Sequence, residues 1–202
     1  MGIAMAVGIG SIVSNNALAK QIVDGSMQTF SASDFSGITK IEQYKFYSNT
    51  NLTSVEMPNS VTSVGAYAFY NCTNIQSIIF STSLQSIGNY AFANCSGIFT
   101  NTAFILYDNL TTLGTAALRS CQKIKTITIG TGLTSIGDYA FYNCSGLTSI
   151  TIKATNPPTL INSRAFTSTN NCPIYVPAGS VTSYQNNTQW ASVAGRIQAI
   201  PT

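Results

Sequence analysis

The segment LTSIGDYAFYNCSGLTSITI, Leu133–Ile152, decides the fold because three other parts of the chain repeat its pattern. The other copies are VTSVGAYAFYNCTNIQSIIF from Val61, LQSIGNYAFANCSGIF from Leu84 and LTTLGTAALRSCQKIKTITI from Leu110, so the starting points advance by 23, 26 and 23 residues. A weaker copy, ITKIEQYKFYSNTNLTSVEM, begins another 23 residues earlier at Ile38. No copy can cover its own apolar residues, so we expect the copies to stack as the coils of a solenoid.

Three kinds of residue hold the register from coil to coil. The aromatic positions are Phe46, Phe69, Phe92, Leu118 and Phe141, the glycine positions are Gly65, Gly88, Gly114 and Gly137, and the cysteine positions are Cys72, Cys95, Cys121 and Cys144. The coil with Leu118 also lacks the usual asparagine before Cys121, so its layer is expected to be irregular. The segment before it, residues 98–109, has three extra residues, which we expect at the strand or the turn after it, as a tolerated loop rather than a functional protrusion.

Within a coil, the pattern L-x-x-I-x-I, as in Leu147–Ile152, is typical of a short strand that stacks into a parallel sheet. The following L-T-S-I-G turns the chain at a glycine. The segment D-Y-A-F-Y-N-C, 138–144, is predicted to be helical or 3₁₀ on the opposite side.

The phrase I-G-x-x-A-F-x-x-C followed by L-x-x-I-x-I resembles the BspA-type leucine-rich repeat, from Ile38 to about Ile152. The C-terminal stretch from Ala154 is similar to the degenerate repeat, strand and short helix that end members of this family. The resemblance implies an α/β, β-rich, right-handed solenoid of five to six coils of about 23 residues, with a parallel sheet on the concave face. It also implies a bacterial surface protein used for adhesion or protein binding.

The chain divides into three parts in this interpretation. Residues 1–37 form an N-terminal segment and cap, 38–156 the repeats, and 157–202 a degenerate repeat and cap. Residues 1–19 read as a degraded signal peptide, as part of a longer chain, or as a segment packed on the first coil or a sister chain. They are too short for a membrane span, which needs about 20 apolar residues.

The C-terminal cap has its own predicted elements. Residues 172–177 read as an edge strand bounded by prolines, and Ser180 is expected to cap a short helix that ends near Asn186. Trp190 is expected to seal the last coil.

The five cysteines are interpreted as small buried hydrophobes, because side chains in one row cannot converge on a tetrahedral zinc site and no metal or cofactor is expected. Disulfides between adjacent coils remain an alternative, although the odd count leaves at least one thiol free. Three triplets match the N-glycosylation pattern, at Asn71, Asn94 and Asn143. These asparagines are expected to bond backbone groups at a turn instead of carrying sugars.

The face of the stacked strands is the main candidate ligand site. It would present to a partner the residues Thr53, Glu56, Gln76, Lys125, Thr126, Thr128, Thr148 and Thr151. The alternative is that threonine occupies these positions only because it suits exposed strands. A weaker candidate is a stripe of tyrosines, at Tyr67, Tyr90 and Tyr139, whose hydroxyls would lie on the convex side.

Composition excludes several functions. The chain has no histidine, which removes Ser-His-Asp and Cys-His catalysis, and its six carboxylates are far apart in sequence. Only 7% of residues are charged and the net charge is +3, so nucleic acid is a poor partner.

Together with these exclusions, the resemblance implies a non-enzymatic, extracellular or cell-surface binding module for adhesion or for a protein or glycan ligand, with the oligomeric state left open. The alternatives are a structural or receptor-binding module of a phage or prophage tail and, more remotely, a carboxylate-based hydrolase.

Overall fold

The computed structural model describes residues 28–35, 37–98 and 104–202, and its regular structure is mostly parallel strand. Each coil contributes a front strand from the L-x-x-I-x-I pattern and a two-residue rear strand. The front strands are β1 (Thr29–Phe30), β3 (Ser54–Glu56), β5 (Ser77–Ile79), β7 (Phe104–Leu106), β9 (Thr126–Ile129), β11 (Ser149–Ile152), β13 (Ile174–Val176) and β14 (Ile197–Ala199). The rear strands are β2 (Lys40–Ile41), β4 (Ser63–Val64), β6 (Ser86–Ile87), β8 (Thr112–Leu113), β10 (Ser135–Ile136) and β12 (Thr159–Leu160).

The strands form three sheets where the sequence predicted one. All six rear strands pair in coil order, from β2 to β12, in a single parallel sheet. The front strands form two sheets, β1-β3-β5 and β7-β9-β11-β13-β14, which are interrupted between β5 and β7. The predicted solenoid is confirmed, and the sixth rear strand gives it a sixth coil near the C-terminus.

The break in the front strands coincides with the three-residue insertion, but the extra residues precede the strand. Cys95 lies nine residues before Phe104, whereas Cys121 lies six residues before the register-matched Ile127. Downstream of Phe104 the spacing is normal, because β8 resumes the rear register at Thr112 opposite Ser86. The prediction that the insertion falls at the strand or after it was therefore wrong. Residues 99–103 lie outside the described residues.

The third side of each coil is built of turns, so the prediction of a helix there was wrong for the regular coils. In the second coil, Ala68, Tyr70 and Cys72 donate backbone N–H groups to carbonyls three residues back. The intervening Tyr67, Phe69 and Asn71 donate to the next coil, at Asn89, Ala91 and Ala93, over 2.7–2.9 Å. A helix would use all these donors locally, whereas the alternation lets every second one join adjacent coils. The last, degenerate coil does have a 3₁₀ helix here, Ser163–Phe166.

We call this side the turn face, and define it as residues 44–48, 67–71, 90–94, 116–120 and 139–143. Each of these segments begins and ends with a left-handed residue, such as Tyr67 at φ 55° and Asn71 at φ 59°. A left-handed residue at the third position is the requirement of a type II turn.

The core fills the space between the front strands, the rear strands and the turn face. The Phe46, Phe69 and Phe92 rings stack with centroids 4.9 Å apart, and Phe141 stacks on Phe166 at 5.4 Å. Leu118, fully buried, interrupts the column. The irregular layer expected at this coil is thus one missing ring in a continuous core.

The C-terminal cap closes the last coil. Helix α1 (Val181–Gln185) follows a 3₁₀ turn, Ala178–Ser180, and the Trp190 indole donates to the Pro158 carbonyl over 2.9 Å. Trp190 is fully buried, with its ring 5.4 Å from Phe166, which confirms that it seals the coil. Trp190 lies in a longer 3₁₀ segment, Thr188–Arg196.

Two details of the cap differ from the prediction. Residues 174–176 are not an edge strand, because the chain returns through β14 and pairs on their free side. Ser180 does precede the helix, but its side chain makes no capping hydrogen bond because its backbone is already in the right-handed helical region.

Candidate functional site

The front strands present an outward row of side chains that we call the strand face. Parallel register places Glu56 beside Ile79 on the first front sheet. On the second front sheet it aligns Ile105 with Thr128, Thr151, Tyr175 and Gln198. Because side chains alternate along a strand, all of these point away from the buried residues between them.

The eight predicted ligand residues divide between the two front sheets. Thr53, Glu56 and Gln76 lie on or next to the first sheet, and Lys125, Thr126, Thr128, Thr148 and Thr151 lie on or next to the second. The structure therefore brings them together as two groups on either side of the break. That these residues bind a ligand stays a prediction.

Two of the predicted threonines have a structural role. The Thr53 hydroxyl donates to the Gln28 carbonyl over 2.7 Å, and the Thr148 hydroxyl donates to the Lys125 carbonyl over 3.0 Å. Both bonds join one coil to the coil before it. The outward Thr126, Thr128 and Thr151 are half-buried strand residues whose hydroxyls remain available to a partner.

Two apolar residues of the strand face, Ile79 and Ile105, are absent from the predicted ligand set. Ile79 is 52% exposed and Ile105 is 42% exposed, and they are on the two strands that border the break. Beneath them the buried Phe80 and Phe104 rings meet edge to face at 5.0 Å, which joins the core across the break. Two isoleucines in one outward row were the available signal in the sequence.

The turn face carries two columns of tyrosines. Tyr44, Tyr67 and Tyr90 stack at 5.1 and 4.9 Å. Tyr47 and Tyr70 stack beside them at 5.2 Å. Burial and the neighbouring tyrosine hydroxyls raise the pKa of Tyr67. The sequence predicted the first column, while the second, immediately after the phenylalanine position, was missed although it follows the same 23-residue period.

The first column resumes at Tyr139 in the fifth coil. The Arg164 guanidinium lies 4.3 Å from the Tyr139 ring centroid and contacts its hydroxyl, and it forms an ion pair with Asp138 at 2.6 Å. This group ties the fifth coil to the degenerate sixth coil, which gives Arg164 a structural role.

Backbone conformation explains why asparagine occupies the first position of the three triplets that match the N-glycosylation pattern. Asn71, Asn94 and Asn143 all have φ between 58° and 62°, a region that asparagine tolerates better than most residues. Their amides donate to Ser48, Tyr70 and Ser120 side chains of the preceding coil, so the predicted bonds to backbone groups were wrong.

The four stacked cysteines are free and fully buried. Each thiol donates to the carbonyl of the ring position one coil earlier, as Cys95 does to Phe69 over 3.0 Å. Burial raises the pKa of Cys72 and of Cys144 to about 12. Thiols held protonated inside a core are inert, so the interpretation as small buried residues is confirmed.

Among the described residues, no group of three or more cysteine, aspartate or glutamate side chains is placed to hold a metal ion. Glu42 lies 3.5 Å from Lys40, and Asp108 accepts from the Thr131 backbone over 2.8 Å, so these carboxylates serve local structure. Within the same part of the chain no helix has the length and apolar character to cross a membrane.

Stacked parallel strands, a repeating core and outward rows of side chains define a solenoid repeat protein. Residues 24–103 match the family model described as the BspA type leucine rich repeat region, with six copies. Over these residues the match confirms the resemblance to the BspA-type leucine-rich repeat that was drawn from the sequence.

Solved bacterial structures share this fold. The leucine rich repeat protein of T. pallidum matches 69% of this chain with 22% identity and a TM-score of 0.57, and the pneumococcal vaccine antigen PcpA matches 86% with 18% identity and a TM-score of 0.64. A leucine rich cell surface protein of Faecalibacterium prausnitzii matches 69% with 25% identity and a TM-score of 0.51. The match spans 62%, 40% and 43% of those three chains, less than two thirds of each. No curated protein matches this chain.

Proposed function

We propose that this chain is a non-enzymatic module that binds a protein ligand through its strand face. The observation that carries the proposal is the pair Ile79 and Ile105, about half exposed, in the middle of a row otherwise made of polar side chains and Tyr175. An apolar centre within a polar rim is the usual anatomy of a protein interface. A glycan would favour open aromatic surfaces over two aliphatic side chains.

The hydroxyl side chains of the second front sheet suit the rim of such an interface. Thr128 and Thr151 are adjacent in register, and Thr126 is paired with Ser149 on the same sheet. Hydroxyls both donate and accept hydrogen bonds, so they can meet backbone groups of a partner without the desolvation cost of charges.

We infer that the ligand is met at a bacterial cell surface. Support comes from the structural neighbours, of which one is described as a vaccine antigen and another as a cell surface protein. The repeat family is generally a scaffold without catalytic activity, which supports the assignment as a binding module.

The test is a binding screen of the immobilised protein against extracellular-matrix and host-surface proteins, with a glycan array in parallel. We expect a protein to be bound, and the double variant Ile79→Glu/Ile105→Glu to lose at least tenfold in affinity. Two buried hot-spot side chains commonly account for at least this much.

A matched control is Ile161→Glu, because Ile161 is 62% exposed but follows the rear strand β12. This variant should bind as the parent does. A second variant, Thr128→Lys/Thr151→Lys, changes the rim without touching the isoleucines and should also weaken binding. Equal binding by all variants, or binding lost equally in the control, would refute the assignment of the strand face.

A further inference from the structure

The second tyrosine column has one empty position. Its members along the coils are Tyr47, Tyr70, Ala93, Arg119 and Tyr142, each directly after a ring position of the core. Ala93 has the same backbone bonds as Tyr70: its N–H donates three residues back over 3.2 Å and its carbonyl accepts from the coil before. The side chain at Ala93 therefore points toward the place of a ring, and its methyl group is buried, with 1% exposed.

The missing ring leaves a cavity of about 90 Å³, open to solvent. It is lined by Tyr70, Tyr90, Ala93, Asn94 and Arg119. One face of the Tyr70 ring packs on Tyr47, and its other side borders the cavity. Tyr70 and Arg119 are two coils apart, so with a ring spacing of about 5 Å per coil the column lacks one ring between them.

The opposite wall of the cavity is a planar cation. The Arg119 guanidinium lies 5.4 Å from the Tyr142 ring centroid, so it continues the column beyond the gap. It is exposed and has no ion pair or side-chain hydrogen bond to any residue that the structure describes. A guanidinium attracts the face of an aromatic ring and can also bind carbonyl or carboxylate groups beside that ring.

We propose that this cavity is a binding site for one aromatic side chain, tyrosine or tryptophan, of a protein partner. Tyr70 stacks on one face of the inserted ring, and the Arg119 guanidinium covers the other. A saturated sugar offers no π face to the guanidinium. An enclosed cavity of about 150 Å³ takes up free benzene. The smaller, open cavity here instead favours a ring that enters from outside and stays attached to a larger molecule.

The experiment is a nuclear magnetic resonance titration of the ¹³C-methyl-labelled protein with N-acetyl-tryptophanamide and N-acetyl-tyrosinamide. We expect the Ala93 methyl signal to shift upfield with saturation, at a dissociation constant of about 10 mM or below, as befits a single ring. N-acetyl-leucinamide and methyl glucoside, at the same concentrations, should leave the signal in place.

Two variants distinguish the cavity from a general affinity for aromatic compounds. Ala93→Tyr fills the gap with the protein's own ring. In the ¹⁵N-labelled variant, the aromatic amides should then cause no saturable shift of the Asn94 side-chain amide, which lines the cavity. Arg119→Ala keeps the cavity and removes one wall, so binding should weaken at least threefold. Strand-face variants such as Ile79→Glu should have no effect on this titration, since they lie on another side of the coil.

The proposal is overturned if the Ala93 signal does not move with either aromatic amide, or if methyl glucoside moves it equally. It is also overturned if Arg119→Ala, shown by circular dichroism to be folded, binds as tightly as the parent.

Discussion

The substitution Gly137→Ala should destabilise the fold strongly, although Gly137 does not have a left-handed backbone. A Cβ atom there would lie 2.3 Å from the Thr115 nitrogen and 2.4 Å from the Gly114 carbonyl carbon. Those contacts are about 1 Å inside normal van der Waals distance. Both atoms belong to the backbone of the preceding coil, so no side chain can move aside.

The whole coil must therefore shift to relieve these contacts, and the shift lowers the free energy of unfolding in two ways. Overpacking of this kind costs about 1–3 kcal/mol. The shift also strains the bond from the Gly137 N–H to the Leu113 carbonyl, at 2.7 Å, worth about 1 kcal/mol. We expect a loss of about 2–4 kcal/mol, a large part of the stability of a domain this size.

Urea unfolding, followed by far-ultraviolet circular dichroism and by Trp190 fluorescence, measures the loss. Gly179→Ala is the matched control, because nothing lies within 4 Å of an added Cβ there, and its stability should change by less than about 1 kcal/mol. Unfolding of Gly137→Ala at the same urea concentration as the control would contradict a role for this glycine as a spacer between coils.

Three further predictions concern the core, the turn face and the cap. All five thiols should resist iodoacetamide in the native protein at neutral pH and react in denaturant. Burial raises the pKa of Cys72 and Cys144 from 9.0 to about 12. The contribution of these two thiols to the free energy of unfolding is therefore complete below pH 9 and is lost as the pH rises toward 12. The melting temperature should fall over that range. Asn94 has φ 62°, so Asn94→Gly should leave the free energy of unfolding almost unchanged in the same urea assay, whereas Asn94→Val should lower it by about 1–2 kcal/mol. Equal stability of the two variants would contradict the requirement for a left-handed residue at this position. Removal of residues 157–202 should cause aggregation in size-exclusion chromatography, and a soluble truncation that unfolds cooperatively would disprove the cap role.

The repeat period was sufficient to predict the stacking of coils and the contents of the core. Residues that recur every 23 positions, such as Phe69 and Cys72, must occupy one place in every coil, and an apolar residue kept in one place is most simply buried. The same reasoning favoured free cysteines over disulfides between adjacent coils, since side chains in one row point the same way.

The turn face could not be predicted because its local pattern matches that of a short helix. Ala68, Phe69 and Cys72 have the spacing of one apolar helical face, and nothing local shows that Tyr67 and Asn71 adopt positive φ. That conformation is selected by hydrogen bonds to a coil 22 residues away, which are non-local. The position of the insertion was missed for a similar reason, because only strand pairing shows where Phe104 re-enters the register.

The strand face was placed correctly as a surface, but its proposed centre was not found from residue type. Threonines were predicted as ligand residues because they recur at outward positions. The hydroxyls of Thr53 and Thr148 instead donate hydrogen bonds that join adjacent coils. Ile79 and Ile105 are apolar by residue type, and the structure shows them exposed on the two strands that border the break.

The hydrogen bonds of the turn face give the solenoid an electrical polarity along its axis. Strands in a parallel sheet both donate to and accept from each neighbour, so their peptide dipoles largely cancel. On the turn face the N–H groups that leave a coil all donate in one direction, as from Phe46 to Ala68 and from Phe69 to Ala91. Peptide dipoles of about 3.5 D therefore add along this side, as in an α-helix, with the carbonyl end toward the first coil. Copies of the solenoid that meet end to end would attract head to tail and repel head to head.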